Sequence, residues 1–183
     1  EWLKNETYNK PRKKTEQGRK QGGTVMSEVR VNYACGTPGK MIAARILPGT
    51  DLLTGLEQIC DQNGVKYGAV NCFGSFSAAG YMYLVPMDAK VGAGYGDVIK
   101  QEGPIEFLSG TGIITQTDKG VTELHFHGTM CDKEGTVFGG HIVKGQCPVL
   151  TTVDVVIQEA KGVEMIRKYD EETDLTQVFV AEK

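Results

Sequence analysis

The chain has 183 residues, of which 40% are apolar and 23% charged, a composition typical of a globular domain and unlike that of disordered or fibrous proteins. No apolar run approaches the roughly 20 residues that span a bilayer, which excludes a transmembrane helix. The five cysteines show no Cys-x-x-Cys spacing and the basic N-terminal residues lack an apolar leader, so we expect a cytoplasmic protein without disulfides.

Charge is distributed unevenly along the chain, with the division at Met26. Residues 1–25 carry seven Lys or Arg and three Glu, whereas the remainder carries 13 basic and 20 acidic residues. We therefore predict a flexible basic arm over residues 1–25 and a folded, acidic domain over residues 26–183. Gln21-Gly22-Gly23 can be encoded by a purine-rich stretch similar to a ribosome-binding site, which makes Met26 a candidate translation start. If translation starts there, the arm is not part of the native protein.

A strand and a helix come first in the folded part. Residues 41–47 are apolar apart from Arg45 and predict a strand that ends at Pro48-Gly49. Thr50 can then cap a helix that ends at Asn63-Gly64. The apolar residues between these ends have helical spacing: Leu52, Leu53, Leu56, Ile59 and Cys60.

The remaining chain is dominated by segments typical of β-strands. They cover residues 67–73, 78–85, 105–115, 121–130, 137–143 and 149–158, with weaker ones at 164–169 and 177–181. Residues 84–102 have no periodicity and predict a long loop. One helix among so many strands predicts the α+β fold class: a single domain with a mixed, mostly antiparallel sheet and one main helix packed on it.

The three histidines of the chain fall in two neighbouring motifs, His125-Phe126-His127 and Gly139-Gly140-His141. Residues two apart in a strand share a face, so His125 and His127 point the same way. Residues 132–136 predict a hairpin with a three-residue loop, in which Asp132 pairs with Thr136 and His127 lies opposite His141. The three imidazoles then converge on one side of the hairpin, whereas a two-residue loop would turn His141 to the other side.

Three converging imidazoles match a catalytic-type zinc site, which leaves one position for water or substrate. Nickel, copper or iron also bind imidazole, so the pattern indicates a divalent transition metal more firmly than it identifies zinc. The alternative is that these histidines are half-buried sheet residues satisfied by their neighbours. Cys131 points to the same face but lies about 13 Å beyond His127 along a strand, too far to bind the same ion.

Two further motifs precede the two histidine motifs in the chain: Leu47-Pro48-Gly49-Thr50-Asp51-Leu52 and Gly103-Pro104-Ile105-Glu106-Phe107-Leu108-Ser109-Gly110-Thr111-Gly112. This ordered set of four motifs resembles the PPC (plants and prokaryotes conserved) domain family over about residues 40–159. The resemblance implies a mixed-sheet α+β domain that assembles as a trimer and, in prokaryotic members, holds a metal through the three histidines. Plant members join the domain to AT-hooks and act at DNA. The histidine pattern also looks like that of acetolactate decarboxylases, which hold zinc through His-x-His and a third His.

Three functions follow as hypotheses. The first is a metal-binding homotrimer of the prokaryotic PPC type with a regulatory or ligand-sensing role. The second is a metal-dependent lyase or hydrolase acting on a small carboxylate, in which Arg45 clamps the carboxylate and Glu106 relays a proton or orients a histidine. The ordinary interpretation of these two residues, a strand-end arginine and a solvated glutamate, stays open.

The third hypothesis is DNA binding through the basic arm. Seven cations on a tail predict mainly nonspecific, salt-sensitive affinity, and the Arg-Gly-Arg-Pro core of an AT-hook is absent.

A separate feature concerns assembly: residues 81–87 are too apolar on both faces for an open sheet edge. We therefore expect a homotrimer that buries much of this surface.

Overall fold

Ten strands and one helix are formed within residues 30–183, the part of the chain that this computed structural model describes. The predicted basic arm lies outside the described residues, so its separation from the domain stays a prediction. In chain order the elements are β1 (Thr37–Ile46), α1 (Leu52–Asn63), β2 (Gly68–Met82), β3 (Leu84–Pro86), β4 (Ala93–Tyr95), β5 (Ile99–Thr117), β6 (Thr122–Cys131), β7 (Val137–Ile142), β8 (Val149–Lys161), β9 (Val163–Asp170) and β10 (Leu175–Glu182).

Eight of these strands form one sheet, in the order β1-β8-β2-β7-β6-β5-β9-β10, and β3 and β4 form a separate hairpin. The pairings are antiparallel except that between β5 and β9. Strand β2 pairs with β5 along one edge and with β8 and then β7 along the other. Because β6 joins β5 to β7, strands β2, β5, β6 and β7 pair in a closed circuit.

The core lies between the inner faces of these strands and the buried side of α1. Three aromatic rings occupy its centre: Phe107 lies 4.5 Å from Phe76 and 6.4 Å from Phe126, measured between ring centroids. Leu52 and Leu56 of α1 are fully buried against the same cluster. The core therefore joins strand residues that are far apart in the sequence.

The predicted α+β class is wrong, because the fold is β-rich and its helix has only 12 residues. Strands β2, β5 and β8 have 15, 19 and 13 residues, longer than the segments that the sequence predicted. In β2 two predicted segments join into one strand, since pairing with β5 continues past an irregularity between Phe76 and Ala78. Paired strands, rather than a layer of helix, therefore enclose most of the core.

Helix α1 ends as predicted but begins one residue later than expected. Gly64 takes the left-handed conformation, with φ of 65°, directly after Asn63. The capping residue is Asp51 rather than Thr50, since Asp51 Oδ1 accepts a hydrogen bond from the backbone N–H of Thr54 at 3.0 Å. Among residues 30–183, no helix is long and apolar enough to cross a membrane.

The prediction of a structureless loop over residues 84–102 is also wrong. This segment contains the β3–β4 hairpin and the first residues of β5. Strands of three residues are too short to show a period of two in the sequence, which explains why the pattern was missed. The hairpin matters for function because it carries Leu84 and Tyr95 to the histidines.

All five cysteines lie in the described part of the chain, and none forms a disulfide. Cys60, Cys72 and Cys147 are buried in the core, and burial raises the pKa of each thiol to about 12. These three thiols are therefore protonated at neutral pH, which disfavours a role as nucleophiles.

Candidate metal centre

Strand β6 places two histidines on one face of the sheet. Its side chains alternate between the core and the outside, so Phe126 is fully buried while His125 and His127 lie on the opposite face. The Nε2 atoms of these two histidines are 3.2 Å apart. The His-x-His spacing thus brings the two rings together through ordinary strand geometry, as predicted.

The turn between β6 and β7 brings in the third histidine. The backbone N–H of Asp132 donates to the Thr136 carbonyl at 3.1 Å, and Gly135 is left-handed with φ of 85°. Asp132 Oδ1 also accepts from the backbone N–H of Thr136 at 2.8 Å. The predicted three-residue loop is confirmed, and so is the pairing of His127 with His141.

Two glycines allow β7 to lie close to both of its neighbours. A Cβ on Gly139 would lie 2.1 Å from the carbonyl oxygen of Gly128 on β6. A Cβ on Gly140 would lie 2.3 Å from the carbonyl oxygen of Met82 on β2. Either side chain would collide with backbone atoms and displace the strand that carries His141.

The three imidazoles form one compact cluster. One ligand nitrogen of each lies within 4.8 Å of the others. The ring centroids of His125 and His127 are 5.2 Å apart, and each is 5.3 Å from that of His141. This donor set fits a divalent transition metal with three protein ligands and one open position.

The surroundings favour the neutral form of all three histidines, which metal binding requires. Burial lowers the pKa of His125, and the charges of Arg167 and His127 lower it further. Burial also lowers the pKa of His127. The pKa of His141 falls to about 4, chiefly through burial and then through the charges of His125, His127 and Arg167.

Tyr95 of β4 contacts His141 from the side. Its Oη lies 3.4 Å from His141 Nδ1, and the two ring centroids are 4.9 Å apart. A partner on Nδ1 leaves Nε2 to face the metal, and such partners orient the ligand ring. The sequence carried no signal for this contact, because Tyr95 lies in the segment predicted as a loop.

A cavity of about 490 Å³ opens beside the histidines. Cavities of several hundred Å³ are typical of small-molecule sites. Strands β9 and β10 supply one part of its wall, and the β3–β4 hairpin supplies another. The lining residues are Leu84, Tyr95, His125, His127, His141, Arg167, Leu175, Thr176 and Gln177.

The two residues predicted as catalytic, Arg45 and Glu106, are not among these lining residues. Arg45 is exposed on β1, where its Nε donates to Thr152 Oγ1 at 3.0 Å. Glu106 is exposed on β5, opposite Cys131 of β6 and four residues along β6 from His127. The structure does not bring either residue to the histidine cluster, and a catalytic role for them stays a prediction.

Arg167 of β9 is the charged residue of the cavity that sequence reasoning missed. Its side chain is 12% exposed, and its Nη1 lies 3.4 Å from Glu123 Oε1. Its Nε is buried and has no hydrogen-bond partner among the described residues. The sequence signal was weak, because a single arginine within a strand-like segment is common on exposed sheet faces.

Solved structures with the same fold come from archaea and bacteria. A metal-containing protein from Archaeoglobus fulgidus is 24% identical, with a TM-score of 0.70 over 82% of this chain and 99% of its own. A plant- and prokaryote-conserved (PPC) protein from Pyrococcus horikoshii is 26% identical, with a TM-score of 0.69 over 80% and 97%. A candidate DNA-binding protein from Bacteroides thetaiotaomicron is 19% identical, with a TM-score of 0.64 over 78% and 96%.

Among curated proteins, none matches the chain. A sequence model of the Plants and Prokaryotes Conserved (PCC) domain matches residues 33–161, which is more than half of the chain. The matched residues include β1 to β8 and all three histidines, and they end before Arg167. The chain therefore belongs to the Plants and Prokaryotes Conserved domain family, also abbreviated PPC.

Proposed function

We propose that this protein is a metal-binding homotrimer with a regulatory or ligand-sensing role, and that its three histidines hold zinc. The observation that carries the proposal is the cluster of three imidazole nitrogens within 4.8 Å of one another. Zinc accepts three neutral imidazoles and a fourth, exchangeable ligand. When bound, the ion would supply an open coordination position beside the cavity.

A sensing role is supported by what the cavity wall contains. Within the described part of the chain, its lining residues include apolar, hydroxyl, amide, imidazole and guanidinium groups, but no carboxylate side chain. A hydrolase or lyase usually needs a positioned general acid or base beside the reacting atoms. With the imidazoles on the metal, Tyr95 is the lining side chain left to transfer a proton within the described residues, so we infer that the wall holds a small molecule rather than transforms it.

Elemental analysis tests the metal assignment. Protein purified without added chelator should contain close to one zinc per chain, and His127→Ala should contain little, because two imidazoles alone bind weakly. Circular dichroism of the variant shows whether the fold is kept. Equal metal content in the two proteins, or none in either, would refute a three-histidine site.

Assembly is supported by exposed apolar side chains around residues 81–87. Tyr81 is buried in the core, but Tyr83, Leu84 and Met87 are 52%, 57% and 46% exposed. Phe73 of β2, 58% exposed, adds a large apolar side chain on the outer side of the sheet. These surfaces support association of copies, whereas the number three comes from the resemblance to the PPC family.

The alternative function is a metal-dependent lyase or hydrolase, and the cavity beside the open ligand position is the observation that favours it. A bound zinc would polarise a carbonyl group or lower the pKa of a coordinated water towards about 7. Incubating zinc-loaded protein with a panel of small oxo and hydroxy acids separates the two functions. Turnover that disappears in His127→Ala favours the enzyme, whereas saturable binding without turnover favours the sensor.

DNA binding is the second alternative, and it depends on residues 1–25. The remaining residues carry 13 basic and 20 acidic side chains, a balance that disfavours contact with phosphates. Removing residues 1–25 should abolish retention on DNA without changing folding or metal content. Retention of the truncated protein at physiological salt would instead place a DNA-binding surface on the domain.

A further inference from the structure

We propose that the cavity binds a small organic carboxylate, which contacts the metal at its open position and Arg167 in the cavity wall. This inference rests on the proposed function, because the metal supplies one of the two contacts. Arg167 supplies the other and sets the preference for an anion. The first reason lies in the environment of the guanidinium group.

The hydrogen bonding of Arg167 is incomplete within the described protein. A buried guanidinium is costly unless its charge and its N–H groups have partners. Oε1 of Glu123 lies 3.4 Å from Nη1 of Arg167. The Glu123 side chain is 40% exposed, so solvent weakens this ion pair. Nε has no partner among residues 30–183. Nε itself is closed off from the cavity, so an anion there would serve as a second counter-charge for the guanidinium group of Arg167 rather than as the partner of Nε.

The charge balance of the cavity also favours an anion. Arg167 is positive, burial favours the neutral form of the three histidines, and no carboxylate among residues 30–183 lines the cavity. Glu123, which meets Arg167 from outside the lining, offsets part of its charge. A divalent ion at the histidines would add two more positive charges. This local excess contrasts with the acidic composition of residues 26–183, which carry 13 basic and 20 acidic residues. An anion is therefore attracted to this cavity rather than to the protein as a whole.

The shape and chemistry of the wall favour an organic acid over an inorganic anion. A cavity of about 490 Å³ is much larger than phosphate needs. Leu84 and Leu175 offer apolar contact, while Thr176 and Gln177 offer hydrogen bonds. The planar guanidinium of Arg167 matches the two oxygens of a carboxylate. A short organic acid satisfies all of these features together.

Arg45, the carboxylate clamp that the sequence predicted, provides a matched control. It is an arginine of the same domain, yet it is exposed on β1 and bonded to Thr152. Neutralising Arg45 changes the net charge of the protein as much as neutralising Arg167 does. Any effect specific to Arg167→Gln therefore reports on the cavity.

Cobalt(II)-loaded protein allows a test by visible absorption, because a ligand that enters the open position changes the cobalt spectrum. Wild type should respond saturably to butyrate and should not respond to butyramide, its neutral isostere. Arg167→Gln should weaken butyrate binding at least tenfold with unchanged cobalt content, whereas Arg45→Gln should bind like wild type. If Arg167→Gln fails to fold, Arg167→Lys replaces it, and loss of the planar fork should weaken butyrate severalfold.

The possible failures of the two proposals can be told apart. If cobalt is bound but butyrate affinity is the same in wild type and the Arg167 variant, the carboxylate inference is wrong and the metal site stands. The inference is also wrong if inorganic phosphate binds as tightly as butyrate. If wild type binds no cobalt or zinc, the proposed function fails and the inference fails with it.

Discussion

His127 and His141 lie directly opposite each other on adjacent strands, β6 and β7. The three-residue loop between the strands fixes this register, since Asp132 pairs with Thr136 and Gly135 supplies the left-handed residue of the turn. A shift of one residue would turn His141 to the other face of the sheet. The candidate metal centre thus depends on a turn that contains no ligand.

Replacing His141 should remove most of the metal affinity. His141→Ala leaves two imidazoles on β6. We expect zinc affinity to fall by more than about 100-fold, because removing even a hydrogen-bond partner of a metal ligand lowers metal affinity by about 10- to 100-fold. Competition with a coloured chelator measures the change. Thr111→Ala is the control, because Thr111 lies opposite His127 on β5 and is not one of the three ligands. Comparable losses in both variants would mean that the site is sensitive to any change nearby.

Removing the Tyr95 hydroxyl should weaken metal binding without abolishing it. Tyr95 Oη lies 3.4 Å from His141 Nδ1, where it orients the ring. We expect Tyr95→Phe to lower zinc affinity about tenfold, which is the smallest loss typical of removing a hydrogen-bond partner from a metal ligand. Competition with a chelator should give Tyr95→Phe a zinc affinity between those of wild type and His141→Ala. Unchanged affinity would show that the packing of the ring alone orients His141.

Acidification should destabilise the metal-free protein between about pH 6.5 and pH 4. Burial is the main reason that the pKa of His141 is lowered to about 4 in the folded state, so the unfolded chain binds this proton more readily. Because the folded pKa is the lower one, this contribution to stability is complete above about pH 6.5 and is lost as the pH falls towards 4.

Thermal unfolding in the presence of a chelator measures this effect across the same range. The unfolding temperature of His141→Ala should change less with pH than that of wild type. The same protons compete with a bound ion, so metal should also dissociate as the pH falls. Parallel pH profiles for the two metal-free proteins would exclude His141 as a source of the dependence.

Shortening the hairpin loop should abolish metal binding although every ligand is retained. Deletion of Glu134 shortens the three-residue loop to two residues, which turns His141 away from His125 and His127. Elemental analysis should find little zinc in the deletion variant. Gly135→Ala serves as the control, because a side chain at φ of 85° strains the turn while the loop length is kept. Full metal content in the deletion variant would show that the register does not depend on the loop.

Charge placed on the exposed apolar segment should dissociate the assembly. Wild type should sediment at about three times the mass of the 19.9 kDa chain, and Tyr83→Glu should shift it towards the monomer, because burying an unpaired carboxylate is costly. Val121→Glu is the control, since Val121 is 61% exposed on the turn between β5 and β6, outside residues 81–87. A wild-type monomer at micromolar concentration would exclude the homotrimer.

The sequence could predict features that depend on near neighbours in the chain. The alternation of His125, Phe126 and His127 follows from the period of a strand, and the end of α1 at Asn63-Gly64 follows from the conformational freedom of glycine. The hairpin loop from Asp132 to Thr136 was predictable for the same reason. These features depend on backbone preferences that act over a few residues.

The fold class was not predictable in this way. Whether two strand-like segments join into one long strand depends on pairing with partners far along the chain. Strand β2, for example, has an irregularity between Phe76 and Ala78, and it continues past this point because β5 pairs with it on both sides. The short strands β3 and β4 also exist only because they pair with each other. Local propensity cannot decide such cases, because the hydrogen bonds that stabilise them are formed by distant residues.

By itself the sequence determined the three histidines, the face they share and the loop that aligns them, since strand period and turn chemistry are local. The tertiary structure decided what surrounds them. Tyr95 and Arg167 reach the cluster from β4 and β9, whereas Arg45, the arginine that the sequence favoured, lies on β1 outside the cavity. A cavity wall is assembled by the packing of segments that are remote in the chain, and no local pattern records which side chains will meet there.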